Sequence, residues 1–261
     1  MFQQIKQKNP LVHCITNHVV SNFQANGLLA IGASPIMGEA PEEVEELVEL
    51  AQAVSLNIGT LHAESLKSML IAGKKANQLG IPVVLDPVGA GASNFRLHAV
   101  REILETVDVS VLRCNAGELA AVAGKEWQSK GVDAGEGLLD VKELAMSTAK
   151  QLGLIVAVTG KIDCVTDGDC VDEIPFGSPI MASITGTGCL LSSVVAAGLA
   201  VDSENPLETV SAILRYFAIA GELASQSVSL PGDFQLTFMN RLASLTDGEV
   251  AEQIYLQERV L

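Results

Sequence analysis

The stretch from Ser183 to Leu191 combines residue types that suit an anion-binding turn at the start of a helix. Gly186 and Gly188 alternate with small hydroxyl residues, Cys189 follows them, and a long apolar run then extends to Val201. Glycine lets the backbone approach a ligand closely, and the first amides of a helix lack partners within the helix and carry the positive end of its dipole. The pattern therefore predicts an anion site at a helix N-terminus, with the thiol of Cys189 beside it.

A second polar stretch with glycines runs from Asp86 to Asn94, directly after a short apolar segment. It nearly makes a dinucleotide-binding loop, but Asn94 takes the place of the third glycine and no acidic residue follows a strand at the usual distance. Gly124 and Lys125 are followed by Glu126 and have no upstream glycine, which argues against a P-loop. The sequence also has no Gly-x-Ser-x-Gly elbow, so a serine hydrolase has no support.

Strand-like and helix-like segments alternate along the chain, which is typical of a parallel sheet covered by helices. The patterns predict strands at 11–15, 33–38, 53–58, 82–86, 109–113 and 154–158, then β-rich pieces around an Asp-Gly turn at 166–169. They predict helices at 19–31, 41–50, 62–79, 97–107, 116–122, 141–152, 190–201, 206–228 and 234–245. Residues 124–139 have the composition of a surface loop, and 250–261 that of a helix or an edge strand. We expect one α/β domain over residues 1–261, with a doubly wound, mainly parallel sheet and helices on both faces.

Several polar residues, one methionine and one glycine fall where a predicted strand has just ended: Asn17, Met37, Asp86, Arg113, Asn115, Thr159 and Gly186. Ligands of doubly wound sheets bind outside the carboxyl ends of the strands, so the set predicts a binding rim. Each residue also has a purely structural explanation. Asp86 before a proline suits a turn, while Met37 and Cys189 suit the filling of an apolar core.

The composition narrows the classes of partner. The chain has 261 residues, of which 16 are basic and 31 acidic, giving a formal net charge of −15. This charge argues against nucleic acid as a partner, and a phosphate ligand would need compensation from a metal ion, an arginine or helix N-termini. The apolar runs are too short to span a bilayer and the N-terminus has no signal-peptide core, so we expect a cytoplasmic protein with no membrane partner.

The cysteines and histidines show no metal-binding pattern along the sequence. The five cysteines are scattered, with no pair at Cys-x-x-Cys spacing, so neither a disulfide framework nor a zinc cage is predicted. His13, His18, His62 and His98 likewise lack the spacing of metal ligands. None of these residues is predicted to bind a metal ion.

Six motifs stand in order along nearly the whole chain: Val12-His-Cys-Ile-Thr-Asn17, Gly32-Ala-Ser-Pro-Ile-Met37, Leu85-Asp-Pro-Val-Gly-Ala-Gly91, Asn115-Ala-Gly-Glu118, Val158-Thr-Gly160 and Thr185-Gly-Thr-Gly-Cys189. This series resembles the hydroxyethylthiazole kinases of thiamine salvage, which belong to the ribokinase-like superfamily. The resemblance implies a ribokinase-like fold without a separate lid domain. It also implies that the substrate is the hydroxyethyl group of 4-methyl-5-(2-hydroxyethyl)thiazole, phosphorylated with ATP and Mg²⁺.

The resemblance further assigns the residues of phosphoryl transfer. Gly186, Thr187 and Gly188 would form the anion hole for the migrating phosphoryl group, and Gly186 would also approach the substrate. Cys189 stands at the position of the catalytic aspartate in sugar kinases of the superfamily. A free thiol titrates near ~8.5, and a helix N-terminus lowers that value while phosphates raise it. Whether Cys189 takes the proton of the alcohol or only positions the hydroxyl stays open.

Other motif positions imply the binding roles. Asn17 and Met37 would line the thiazole pocket. ATP would contact Arg113, Thr159, Asn115 and Thr187, while Asp86 and Glu118 would hold Mg²⁺ and its waters. Cys114 departs modestly from the family, which often has glycine there, in the Mg²⁺-side loop, and residues 161–163 are a variable part.

The resemblance also implies a homotrimer with sites at subunit interfaces, in which Asn17 and Met37 would complete a pocket whose anion hole comes from a neighbouring subunit. Two other functions are considered. An ATP-dependent dehydratase of nicotinamide cofactor hydrates shares the scaffold, but Met37 and the early Asn17 stretch argue against it. A non-catalytic ligand-binding relative is disfavoured by the retained Cys189, Glu118 and Arg113.

Overall fold

A mainly parallel sheet forms the centre of the computed structural model, which describes residues 1–125 and 140–259. Its strands are β1 (Leu11–Ile15), β2 (Ser34–Ile36), β3 (Ala53–Asn57), β4 (Val83–Asp86), β5 (Val111–Asn115), β6 (Ile155–Thr159), β7 (Asp163–Thr166) and β8 (Val171–Ile174). Within these ranges the order across the sheet is β2-β1-β3-β4-β5-β6-β7-β8. Strands β1 to β6 run parallel, whereas β7 and β8 are antiparallel to their neighbours.

Helices connect the strands and cover the sheet. They are α1 (Phe2–Lys8), α2 (Ser21–Ala30), α3 (Val44–Leu50), α4 (Ala63–Leu79), α5 (Asn94–Thr106), α6 (Ala116–Val122), α7 (Val141–Leu152), α8 (Thr187–Val201), α9 (Pro206–Ser225), α10 (Pro231–Ser244) and α11 (Asp247–Glu258). A 3₁₀ helix, Pro179–Ser183, precedes α8. Among the described residues, no helix is long and apolar enough to cross a membrane.

The strands bury side chains on both of their faces. In β4, Val84 belongs to one hydrophobic cluster, and Val83 and Leu85 belong to the other. Residues of α1, α2 and α8 to α11 complete the first cluster, and residues of α3 to α7 complete the second. Burial on both faces explains why these strands read as nearly continuous apolar runs. The predicted doubly wound sheet with helices on both faces is confirmed.

The ends of the chain contain structure that the sequence patterns did not resolve. Helix α1 was not predicted, because it has only seven residues, yet Phe2 and Ile5 are fully buried in it. The tail forms α11, which resolves the alternative of helix or edge strand in favour of a helix. The side chain of Thr246 caps this helix by accepting from the Glu249 amide at 3.2 Å.

The third helix begins later than predicted. Pro41 was expected to open it, but the segment after Ala40 forms a turn in which the Glu43 amide donates to the Ala40 carbonyl at 3.0 Å. The helix itself begins at Val44. Of the surface loop predicted at 124–139, residues 126–139 lie outside the described part of the chain.

Helix α8 is held against the middle of the sheet. It contacts β1, β3 and β4, with α2 and α9 beside it, and residues 190–199 are all buried. Gly27 of α2 lies against Leu190, so that a Cβ atom at position 27 would stand 2.3 Å from Leu190 Cδ1. The absence of a side chain at Gly27 therefore sets the distance between α2 and the first turn of α8.

We expect Gly27→Ala to destabilise the protein by about 1–3 kcal/mol, because the added methyl group overpacks a buried contact. Urea unfolding monitored by circular dichroism measures this. Gly232→Ala in α10 is the matched control, since no atom lies within 4 Å of the added carbon. That control should stabilise by up to about 1 kcal/mol. Equal stability of Gly27→Ala and the wild type would contradict the packing argument.

Candidate active site at the carboxyl ends of the strands

A chain of hydrogen bonds crosses the carboxyl ends of the parallel strands. Asn17 Nδ2 donates to Asn57 Oδ1 at 2.9 Å, and Asn57 Nδ2 donates to Asp86 Oδ2 at 2.9 Å. Arg113 donates to both oxygens of Asp86 at 3.3 and 3.4 Å and to Thr159 Oγ1 at 2.8 Å. The sheet register causes this meeting, because it pairs Asn57 with Asp86. Four residues predicted for the rim therefore lie in one network.

Asp86 and Arg113 form a buried ion pair at the centre of this network. Asp86 is fully buried and also accepts from Ser192 Oγ of α8 at 2.8 Å, while Arg113 is 6% exposed. Burial raises the pKa of the Asp86 carboxyl, and the Arg113 guanidinium opposes that shift. Burial also disfavours the charge of Arg113, but neighbouring carboxylates, Asp86 foremost, raise its pKa above the ordinary value. Arg113 is thus a permanent cation inside the site.

Arg113 lies directly beneath the first turn of α8. A Cβ atom at Gly188 would stand 2.7 Å from Arg113 Nη2 and 2.8 Å from Nη1. Glycine is therefore required at position 188 for the guanidinium to approach the helix backbone. The Arg113 charge and the unpaired first amides of α8 then act on the same region of space, which favours an anion there.

Gly186 caps α8 in a conformation that favours glycine. Its φ is 95°, and a Cβ atom there would stand 2.7 Å from Val20 Cγ1. Among the described residues no side chain caps the helix, so its first amides have no capping oxygen. Thr187 Oγ1 donates instead to the Met181 carbonyl at 3.2 Å, which ties the turn to the preceding 3₁₀ helix.

Cys189 lies half-buried in the first turn of α8. Asn17 Nδ2 approaches its sulfur at 3.5 Å. Burial raises the pKa of the thiol, and the charge of Asp86 adds to that shift, whereas hydrogen bonds from Asn57 and Asn17 and the Arg113 charge oppose it. Because its pKa lies above the ordinary value of a thiol, Cys189 is a neutral thiol near pH 7.

Glu118 and Asn115 form the capping box of α6. Asn115 Oδ1 accepts from the Glu118 amide at 2.9 Å, and Glu118 Oε2 accepts from the Asn115 amide at 2.9 Å. Glu118 Oε1 accepts from the Gly89 amide at 2.9 Å and so joins the loops after β4 and β5. The carboxylate is therefore held by two backbone amides at the rim, one in the loop after β4 and one at the start of α6.

Met37 lies apart from this group. It follows the edge strand β2, so β1, β3 and β4 separate it from the strand that carries Arg113. Its partly buried side chain packs against the hydrophobic cluster that includes α8. Met37 therefore occupies one end of the rim, and Thr159 occupies the other.

Three supporting residues were missed by sequence reasoning. Asn57 links Asn17 to Asp86, and Gln24 of α2 donates to the Cys189 carbonyl at 3.0 Å and to Ser193 Oγ. Arg96 of α5 donates to the carbonyls of Ile58, Val88 and Gly59 at 2.7 to 2.8 Å, which joins the loops after β3 and β4. Asn57 is the next-to-last residue of a predicted strand and carried a usable signal, as a polar residue near a strand end. Gln24 and Arg96 lie within helices, where no local pattern marks them.

Asp163 supports the turn beside Thr159. Its Oδ1 accepts from the Gly160 amide at 2.9 Å. Burial raises the pKa of Asp163 to about 6, although the Gly160 amide and Arg113 act in the opposite direction. The unfolded value is ~3.9, so the folded state binds this proton more tightly. Ionisation of Asp163 therefore lowers stability as the pH rises from about 4 to about 6.

We expect Asp163→Asn to remove this pH dependence, because asparagine keeps an acceptor for the Gly160 amide and cannot ionise. The variant should gain stability relative to the wild type between about pH 4 and about pH 7. Urea unfolding of both proteins at the two pH values measures the change. A stability difference that does not vary with pH would contradict the assigned pKa.

Comparison with known proteins identifies the family. The model of the hydroxyethylthiazole kinase family matches residues 2–248. A hydroxyethylthiazole kinase from Lysinibacillus sphaericus (strain C3-41) is 48% identical over 252 residues, which cover 96% of this chain and 98% of the relative.

Solved structures agree. A hydroxyethylthiazole kinase from Pyrococcus horikoshii OT3 superposes with a TM-score of 0.88 and 40% identity, covering 96% of this chain and 94% of that one. A ribokinase-like superfamily protein from Enterococcus faecalis has a TM-score of 0.62 at 13% identity, covering 93% and 95% of the two chains, which shows a shared fold alone. The predicted ribokinase-like fold is confirmed, and the chain belongs to the hydroxyethylthiazole kinase family.

Proposed function

We propose that this protein transfers the γ-phosphoryl group of ATP to the hydroxyethyl group of 4-methyl-5-(2-hydroxyethyl)thiazole, a step of thiamine salvage. Family membership supports the reaction class. The observation that carries the proposal is the position of the Arg113 guanidinium against Gly188 at the start of α8. It supplies the local positive charge that a phosphate ligand needs in a chain of net charge −15.

The amides of Gly186, Thr187 and Gly188 form the anion hole in this proposal. Phosphoryl transfer depends mainly on alignment and on neutralisation of the phosphate oxygens, which fixed backbone amides provide without reorganisation. The left-handed conformation of Gly186 and the contact of Gly188 with Arg113 support this role. Gly186 also faces the alcohol that accepts the phosphoryl group.

ATP binds along the rim from α8 towards β6. Arg113, Thr159, Asn115 and Thr187 contact it, and the bond from Arg113 to Thr159 supports a shared role for these two residues. Asp163 supports the Thr159 turn and takes no part in the contact. Because Arg113 is held by Asp86, it is oriented before the nucleotide arrives, which reduces the ordering required on binding.

Glu118 and Asp86 provide the negative charge for Mg²⁺, which neutralises phosphate oxygens when bound. The donor set fits an ion held through its waters. Both Glu118 oxygens already accept hydrogen bonds from backbone amides, and Asp86 is fully buried. Among the described residues, neither carboxylate belongs to a cluster of three metal-ligating side chains. Mg²⁺ typically keeps several waters and uses one or two carboxylates together with substrate phosphates. The residues here favour that arrangement over a protein cage.

Asn17 and Met37 bind the thiazole, and Cys189 stands beside the reacting hydroxyl. A neutral thiol with a raised pKa is a hydrogen-bonding group at rest, so Cys189 positions the alcohol before any proton moves. Its contact with Asn17 supports the assignment of both residues to one pocket.

The assembly is also part of the proposal. Three features stay predictions: a homotrimer with sites at subunit interfaces, a single domain over residues 1–261 and a cytoplasmic location. Asn17 was expected to complete a pocket whose anion hole comes from a neighbouring subunit; its approach to Cys189 at 3.5 Å supports a contribution to the pocket of its own chain. Met37, at the edge of the sheet, is the residue still available for a role in a shared pocket.

We expect MgATP-dependent ADP release with the hydroxyethylthiazole and little with a pyrimidine alcohol or a sugar, measured in parallel by a coupled assay. A nicotinamide cofactor hydrate in a fourth reaction tests the dehydratase alternative. ADP release only with that hydrate, or with none of the compounds, would reject the proposed kinase activity in favour of the dehydratase or the non-catalytic relative.

Gly188→Ala tests the anion hole in the same assay. The added methyl group displaces the guanidinium, so kcat/KM should fall at least ~100-fold, the typical effect of losing one stabilising donor. Gly232→Ala in α10 is the matched control, because its backbone is not left-handed and no atom of the described residues outside its own helix turn lies within 4 Å of a Cβ there, so its loss of activity should be small. Equal activity of the two variants would contradict the role of Gly188.

The Cys189 series separates a base from a positioning group. If the thiol takes the proton, Cys189→Ala should lower kcat by ~10²–10⁴-fold, the usual contribution of a general base, with ATP affinity retained. Cys189→Asp should retain or improve turnover, because a carboxylate accepts the proton more readily at neutral pH. Steady-state kinetics and nucleotide titration measure both quantities. An alanine variant with near-normal kcat would refute the base assignment.

A further inference from the structure

We propose that His18, Glu39 and His62 form a second metal site, which takes one Zn²⁺ or a similar first-row transition metal ion. Each side chain offers one ligand atom, and these atoms all lie within 4.8 Å of one another. His18 Nε2 and Glu39 Oε1 are 3.9 Å apart. The three residues come from the loops after β1, β2 and β3, which is why their spacing along the sequence gave no sign of a site.

Hydrogen bonds fix the backbone at all three positions. The His18 amide donates to Thr60 Oγ1 at 3.2 Å, and the Glu39 carbonyl accepts from Ser68 Oγ at 2.6 Å. His62 is the N-cap of α4. The three main-chain positions are thus held relative to one another, and only the side chains need to adjust.

The adjustment is small. Tetrahedral Zn²⁺ with bonds of about 2.1 Å holds its ligand atoms roughly 3.4 Å apart. The His18 and Glu39 side chains are 65% and 38% exposed, so both have room to rotate over the remaining distance. Two imidazoles and one carboxylate with an open position for water are a donor set that Zn²⁺ uses.

This site is separate from the proposed Mg²⁺ position. Asp86 and Glu118 offer only oxygen atoms and belong to the segments that end β4 and begin α6. The histidine-containing cluster lies after β1, β2 and β3, on the Met37 side of the rim. Nitrogen ligands distinguish the two sites chemically, because imidazole suits Zn²⁺ whereas Mg²⁺ prefers oxygen.

Metal binding competes with the cap of α4. His62 Nδ1 accepts from the Ser65 amide at 3.1 Å, so the ring proton lies on Nε2. A metal ion on Nδ1 displaces that amide, and one on Nε2 moves the proton to Nδ1, which then no longer accepts. His62→Ser separates the two roles, because serine is a good N-cap and has no imidazole.

The test is zinc binding to the full-length untagged protein, measured by competition with a chromophoric zinc chelator in magnesium-free buffer. The wild type should bind one Zn²⁺ per chain at this site and gain thermal stability as zinc is added. His18→Gln, Glu39→Gln and His62→Ser should each weaken binding at least ~10-fold and lose the thermal shift. Circular dichroism confirms that each variant is folded.

Two matched controls test whether other side chains of the protein bind the zinc ion. His98→Gln removes an exposed histidine whose Nδ1 lies 2.8 Å from the Asn94 carbonyl in α5, and Cys170→Ser removes an exposed thiol. Neither should change the zinc affinity. Absence of zinc uptake by the wild type would overturn the proposal. Loss of binding in a control with retention in the folded His18 and His62 variants would also overturn it. Kinase activity plays no part in this readout.

Discussion

The buried pair of Arg113 and Asp86 is the interaction on which the site depends. An arginine at 6% exposure is stable only with a partner, and removing one member of such a pair typically costs about 3–5 kcal/mol, because the other charge is left uncompensated. Asp86 also accepts from Asn57 and Ser192, so β3, β4, β5 and α8 all meet at one carboxylate. The pair therefore fixes α8 on the sheet as well as the charge beneath its first turn.

The geometry of α8 follows from what surrounds that pair. Gly188 admits the guanidinium, and Gly186 turns the chain in a conformation that other residues rarely adopt. Gln24 of α2 donates to the Cys189 carbonyl at 3.0 Å. Among the described residues no side chain caps the start of α8, which is costly in a closed interior and useful where an anion binds.

Sequence reasoning recovered the parts of this site that depend on local signals. Glycines beside a helix start and polar residues after apolar strands both have patterns within a few residues. Arg96, Gln24 and the cluster of His18, Glu39 and His62 do not. Their partners lie on other loops or elements, so only the tertiary fold brings them together. Sequence reasoning also missed the short helix α1, because burial of two side chains stabilises the helix although its sequence shows only weak helical periodicity.

The thiol at Cys189 is consistent with the charge balance of the resting site. Asp86 and Glu118 are already present, and Arg113 is the cation that offsets them. A carboxylate in place of the half-buried thiol would add a third anion at the first turn of α8. Its pKa would rise through burial and the Asp86 charge, which brings a carboxyl group closer to neutral pH and makes it a better-matched base. Burial and the Asp86 charge raise the pKa of a thiol as well, which takes it further above neutral pH. The environment that would suit an aspartate as base thus keeps Cys189 protonated, so the chain combines a low resting charge with a weaker proton acceptor.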